Sequence, residues 1–158
     1  MFSGQLKRRF GFATVMAMGL AMFASPASAQ LQPWEDYEAS DSVWIVTHVD
    51  LDPGTLGIYL EGLKSTWIAA NKVAKELGQI KDFAIYSNQY GGADDFDLLL
   101  VVEMESTDDI APNSQRYEKF LEAYGKANID KANETVLELY NKIRRIQGNY
   151  LLRKIEVK

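Results

Sequence analysis

The sequence predicts an α+β fold: one four-stranded antiparallel sheet with helices on a single face. Three observations lead there. Stretches rich in branched and aromatic residues at 43–51, 83–88, 97–104 and 150–157 read as strands. Stretches with apolar residues three and four apart at 56–77, 114–125 and 130–145 read as helical. Their order is strand, helix, strand, strand, helical region, strand, which is the split βαβ or ferredoxin-like arrangement.

The fold begins after a leader. Lys7, Arg8 and Arg9 form a basic segment, residues 10–23 an apolar one, and Ala27-Ser28-Ala29 a small-residue cleavage site before Gln30. The apolar run falls short of the about 20 residues that a membrane-spanning helix needs. The expectation is a signal peptide over 1–29, cut after Ala29, and a periplasmic or secreted mature chain with no membrane attachment. Arg8-Arg9-Phe10 hints at a twin-arginine signal, but Leu6 and Gly11 fit general secretion better. No cysteine is present, so a lipid-modified cysteine, a disulfide and a thiolate nucleophile are excluded.

The whole chain has 17 basic and 22 acidic residues and a net charge of −5. The leader holds three of the basic residues and none of the acidic ones. The mature chain therefore sets fourteen against 22, a net charge of −8. Such a chain is a poor partner for nucleic acid or anionic membrane, which bind clustered Lys and Arg.

Residues 30–42 are polar and acidic with no period, and read as an N-terminal tail ahead of a domain over 43–158. After the first strand, Asp52 is expected to cap a helix with Pro53 at its first position. Leu56, Leu60, Leu63, Trp67, Ala70, Ala74 and Leu77 form one apolar stripe, and Gly78 ends it. The second and third strands are joined by a turn containing Gly91, Gly92, Asp94 and Asp95. Asn113 or Ser114 opens the next helix, with a break expected near Ala127. The last helix is expected to close with Arg144 and Arg145 in its final turn, where positive charge suits the helix dipole, and to stop at Gly148.

Alternation then sorts the strands into two faces. One is almost uniformly apolar: Val43, Ile45, Val49 and Leu51; Phe83 and Ile85; Leu98, Leu100, Val102 and Met104; Leu151, Ile155 and Val157. It should lie under the helices, interrupted by Thr47, Ser87 and Arg153. The opposite face carries Trp44, Val46, His48 and Asp50; Ala84, Tyr86 and Asn88; Leu99, Val101 and Glu103; Tyr150, Leu152 and Lys154. Left in water it would be a large apolar patch, so the expectation is a homodimer packed sheet to sheet around a cavity.

The run Val49-Asp50-Leu51-Asp52-Pro53-Gly54 into Leu56-Gly57-Ile58-Tyr59-Leu60 resembles the strand, Pro-Gly turn and helix entry of dimeric α+β barrel proteins. The acidic turn before a Leu-Val strand, and Ile143-Arg144-Arg145-Ile146-Gln147-Gly148 leading into Tyr150-Leu151-Leu152-Arg153, are similar to exported bacterial members without assigned activity. The resemblance covers about residues 43–158. It implies a ferredoxin-like dimer and designates no catalytic residue. Haem-degrading members combine an Asn, a Trp and a His in set places, a trio that is not matched here in full.

The candidate ligand-binding residues are Trp44, His48, Tyr86, Asn88 and Tyr150, all on the second face. Trp44, Tyr86 and Tyr150 can stack on a flat ligand or pack in a dimer interface. His48, the one histidine, can act as acid, base or haem ligand, or simply sit at the sheet rim beside Asp50. No residues have zinc-ligand spacing. Asp94, Asp95 and Asp97 lack the closing glutamate of a calcium loop and read as turn acids. No cofactor is called for and no catalytic residue is assigned. The functional expectation is a homodimer binding a small apolar or aromatic ligand between its sheets; the alternatives are a cofactor-free or haem-dependent monooxygenase-like enzyme, and a subunit of an envelope complex.

Overall fold

Strand β1 (Tyr37–Leu51) occupies the middle of a four-stranded antiparallel sheet, between β3 (Leu98–Met104) and β4 (Arg144–Val157). Strand β2 (Asp82–Ser87) pairs with the far side of β3, giving the order β2-β3-β1-β4. This is the expected ferredoxin-like topology. The computed structural model describes residues 30–92 and 95–158, so the expected leader and Asp94 of the acidic turn lie outside the described residues.

The register confirms the two faces. Val43 stands opposite Met104, Ile45 opposite Val102 and Val49 opposite Leu98, while Phe83 and Ile85 stand opposite Val102 and Leu100. Val43, Val49, Leu51, Leu98, Leu100 and Met104 are buried. Above them lie α1 (Leu56–Ser65), α2 (Trp67–Glu76), α3 (Ser114–Tyr124) and α4 (Lys126–Thr135).

Both ends of the sheet differ from expectation. β1 starts at Tyr37 rather than Val43, so residues 37–42, expected in the tail, are strand. The cause is the length of β4. Val157 and Ile155 pair with Tyr37 and Ala39, the Lys158 backbone N–H donates to Asp36 O at 2.9 Å, and the Lys158 ammonium pairs with Glu38. Backbone donors and acceptors of the C-terminal strand are satisfied by the segment that would otherwise be a tail. β4 itself begins at Arg144, not Tyr150, because Leu51 and Asp50 at the end of β1 still need partners and find Arg144 and Arg145. Gly148 therefore does not stop a helix. It lies opposite His48, beside a bulge in the β1–β4 ladder.

The helix layer is more broken than the sequence implies. The Asp52-Pro53-Gly54-Thr55 segment is a turn, with Thr55 N–H donating to Asp52 O at 3.1 Å and Gly54 at φ 82°. Pro at the second position and a positive-φ Gly at the third are what a type II turn requires. Helix α1 accordingly starts at Leu56 and Asp52 is not its cap. The expected single helix over 56–77 divides at Thr66 (φ −114°, ψ −94°). Gly78, at φ 64°, ends α2 as expected. Asn113 caps α3, accepting from Arg116 N–H at 3.0 Å, and Gly125 separates α3 from α4, two residues before the expected break. After α4 the chain passes through a π-helical turn, Val136–Tyr140, and a short turn, Asn141–Ile143, before entering β4.

Tyr59, which the apolar stripe omitted, and Tyr140 are fully buried and meet edge to face at 4.9 Å between ring centroids. With Val49, Leu51, Leu63, Leu98 and Leu100 they make the centre of the core. Tyr140 reaches so deep that it grazes α1: a Cβ built on Gly62 would lie 2.6 Å from its hydroxyl. Gly62→Ala should therefore lower stability by about 1–3 kcal/mol through overpacking, although Ala in place of Gly inside a helix ordinarily adds about 1 kcal/mol. A urea-denaturation midpoint higher than wild type would contradict this packing.

Candidate functional site

The five residues singled out from the sequence do not form one cluster. Tyr150 folds back over Gly148, and a Cβ there would lie 2.7 Å from the Tyr150 hydroxyl. His48 sits between the rings of Tyr150 and Phe96, at centroid distances of 4.6 and 4.5 Å. Trp44 and Tyr86 lie towards the β2 side, where with Asp82, Phe83, Val101 and Glu103 they rim a depression of about 90 Å3. Asn88 belongs to neither group. Its amide donates to Phe96 O at 3.0 Å, its side-chain oxygen accepts from Tyr90 N–H at 3.2 Å, and its backbone N–H bonds Asp97 O. Asn88 shapes the turn.

The turn acids also act on the backbone. Asp97 Oδ2 accepts from Leu51 N–H at 2.7 Å and Asp95 Oδ2 accepts from Gly92 N–H at 2.6 Å. Asp97 thus clips the β2–β3 turn to the end of β1. On the outer face, Asp50 Oδ2 accepts from Arg145 Nε at 2.9 Å and from a terminal nitrogen at 2.7 Å. Arg153, on the helix-facing side, donates to Ser40 O at 3.0 Å and stays exposed.

Among the described residues, no helix lies over the outer face. Tyr86, Tyr150 and Leu152 are exposed, while Trp44, Leu99 and Val101 are half-buried by their sheet neighbours. The far end of β4 is bare on both faces. Leu151, Ile155 and Val157, expected beneath the helices, are 55%, 60% and 67% exposed, because the helices do not extend over this end of the β1–β4 pair.

A larger space lies on the helix side and was not anticipated. A pocket of about 380 Å3 opens between the α1–α2 pair and the α3–α4 pair, walled by Leu63, Trp67, Ala70, Phe120, Ile129 and Val136. Thr66, Tyr117, Tyr124, Asn133, Tyr140 and Arg144 supply its polar lining. Thr66 Oγ1 donates to Gly62 O at 2.9 Å and lies 2.9 Å from the Tyr140 hydroxyl, so the phenol proton points at Thr66 and both hydroxyls are satisfied. Arg144 is packed over the rings of Tyr140 and Tyr59, with its guanidinium carbon 4.8 and 5.3 Å from their centroids, and donates to the Tyr59 hydroxyl. Among the described residues Arg144 has no carboxylate partner. By sequence pattern alone Arg144 falls in a helix terminus. The signal that places it here is the change of apolar period from 3.6 to 2 at that residue, which turns adjacent arginines to opposite faces.

No family model matches the chain, and no curated protein matches it. Among solved structures it is similar to an uncharacterised NIPSNAP-like domain protein from Burkholderia xenovorans, with 14% identity, 75% of this chain and 85% of that one covered, and a TM-score of 0.43. A dimeric protein of unknown function and ferredoxin-like fold from Bacteroides fragilis shares 11% identity over 76% of this chain and 99% of that one, with a TM-score of 0.39. A dimeric ferredoxin-like protein of unknown function from Thermobifida fusca shares 8% over 73% and 91%, with a TM-score of 0.38.

Burial raises the pKa of Tyr59, Tyr124 and Tyr140 above the ordinary 10.0; at Tyr59 the Arg144 charge opposes the rise, and at Tyr140 the Thr66 hydrogen bond and Arg144 do. An unfolded tyrosine ionises near 10.0, whereas these hold their protons beyond it. The folded state is therefore favoured fully below pH 10 and loses that advantage as pH rises towards the folded values. Denaturation midpoints should be level from pH 8 to about 9.5 and fall above it, with tyrosinate absorbance appearing partly in step with unfolding. Tyrosinate absorbance complete near pH 10 in the folded protein would contradict burial of these phenols.

Proposed function

We propose that this chain is an exported protein, released from its leader after Ala29, that pairs with a second copy sheet to sheet and holds a small apolar or aromatic ligand between the two sheets. The observation that carries this reading is the uncovered outer face, with the bare end of the β1–β4 pair continuing it. Trp44, Val46, Leu99, Val101, Tyr150 and Leu152 share that face, and every helix of the described residues lies on the other. A two-stranded ribbon is marginal in water by itself. A long apolar edge strand invites pairing unless something covers it. A second copy covers both features with one two-fold contact.

The ligand belongs in this reading because the aromatic residues leave a gap. The depression beside Trp44 and Tyr86 is about 90 Å3, below the roughly 300 Å3 that encloses a small organic molecule. A facing copy supplies the missing wall. His48, held between Phe96 and Tyr150, contributes a polar edge to the same surface.

Sedimentation equilibrium of the processed protein should give a dimer at micromolar concentration. Val101→Lys should weaken pairing by about 100-fold or more, since two-fold symmetry buries two unpaired ammonium groups in one interface; its far-UV circular dichroism should match wild type. A wild-type monomer up to high micromolar concentration would sink the proposal. For export, the intact mass of protein recovered outside the cytoplasm should begin at Gln30. Recovery of the Met1 form alone in the membrane fraction would overturn the cleavage.

A further inference from the structure

The interhelical pocket is on the opposite side of the sheet from the pairing face, and its chemistry is different. Its walls are apolar on four helices. Two of its hydroxyls are already used: Tyr140 donates to Thr66, and Thr66 donates to the Gly62 carbonyl. Asn133 and Tyr117 also reach the lining, and Arg144 is its one charged group among the described residues. A guanidinium has five N–H donors, and the polar contact of this one is with the Tyr59 hydroxyl. The two phenol rings hold the guanidinium plane in place from Tyr59 and Tyr140, so a ligand meets it already oriented.

A cation held this way, at one end of an apolar space of about 380 Å3, matches a particular kind of molecule. The charge calls for an anion with planar, paired oxygens, which a carboxylate presents to an arginine in bidentate form. The walls call for a hydrocarbon or aromatic body, and Trp67, Phe120 and Val136 offer no charge to one. The volume falls in the range of pockets that enclose small organic ligands. We infer that this pocket binds a small organic acid with an apolar body, carboxylate on Arg144 and body between α2, α3 and α4. Arg144 is the anchor. Tyr59, Tyr140 and Thr66 are positioning residues, fixing the guanidinium and the π-helical turn that frames it. This site is independent of the sheet-to-sheet reading and stands or falls separately.

The test is calorimetric titration of protein purified after expression of the full chain. Decanoate and phenylacetate are the probes, with decanamide and phenylacetamide as uncharged counterparts of the same shape. At least one acid should saturate a single site per chain and bind about tenfold or more tighter than its amide. Arg144→Gln should bring the acid down to the affinity of the amide and leave the amide unchanged. Ala132→Trp, which fills the pocket from α4 without touching the Arg144 contacts, should abolish binding of both. If Arg144→Gln fails to fold by circular dichroism, the acid-to-amide ratio and Ala132→Trp decide. Equal binding of acid and amide, undiminished binding in Ala132→Trp, or no saturable binding of either acid would each overturn the inference.

Discussion

A pair of hydroxyls holds the helix layer together. Thr66 Oγ1 and the Tyr140 hydroxyl lie 2.9 Å apart in the buried interior, on residues 74 apart in sequence. Thr66 is where the first helical stretch divides, and Tyr140 ends the π-helical turn of the last one. Each irregularity explains the other. The break at Thr66 leaves its hydroxyl on the Gly62 carbonyl and turned towards the core. The wider π turn gives Tyr140 the reach to meet it, and Gly62 leaves room for the ring. A buried hydroxyl without a partner costs about 1–3 kcal/mol; Thr66 keeps the Gly62 carbonyl in any case, so it is the Tyr140 phenol that depends on the pair. Arg144, four residues past Tyr140, inherits its position from the same arrangement.

Most of the fold was legible because it is written in periods. The alternation in residues 43–51 and 97–104 sorted inward from outward side chains correctly, and the register matches that division pair by pair. Gly78 and Asn113 marked helix ends by local chemistry that needs no tertiary context. What was not legible depends on partners distant in sequence. Residues 37–42 look like a tail until Val157 and Lys158 arrive beside them. Arg144 and Arg145 look like helix-terminal charges until Leu51 and Asp50 claim them. Tyr59 fell outside the apolar stripe because the stripe was drawn for one straight helix, and Thr66 bends the real one.

The candidate site shows the same limit. The five outer-face residues were found by alternation, which assigns a face but not a neighbour. It therefore grouped Asn88, whose side chain serves the turn, with Trp44 and Tyr86, which do share a surface. The interhelical pocket has no sequence period at all. It comes from four helices and one strand meeting, and its charge comes from Arg144, the first residue of β4, where the expected helix has already ended. The two faces of the sheet consequently differ in kind: one is broad, shallow and apolar, the other carries an apolar pocket between helices with a charge at its end.

Strand β1 is made first and paired last. It has neighbours on both sides, and those neighbours are residues 98–104 and 144–157. A chain emerging from a ribosome or a pore with its N-terminus leading cannot complete the sheet around β1 until nearly its whole length is out. Helices α1 and α2 can appear early, but the face they need is absent. The fold thus stays open through most of its own synthesis. Topology makes this chain easy to thread and late to close.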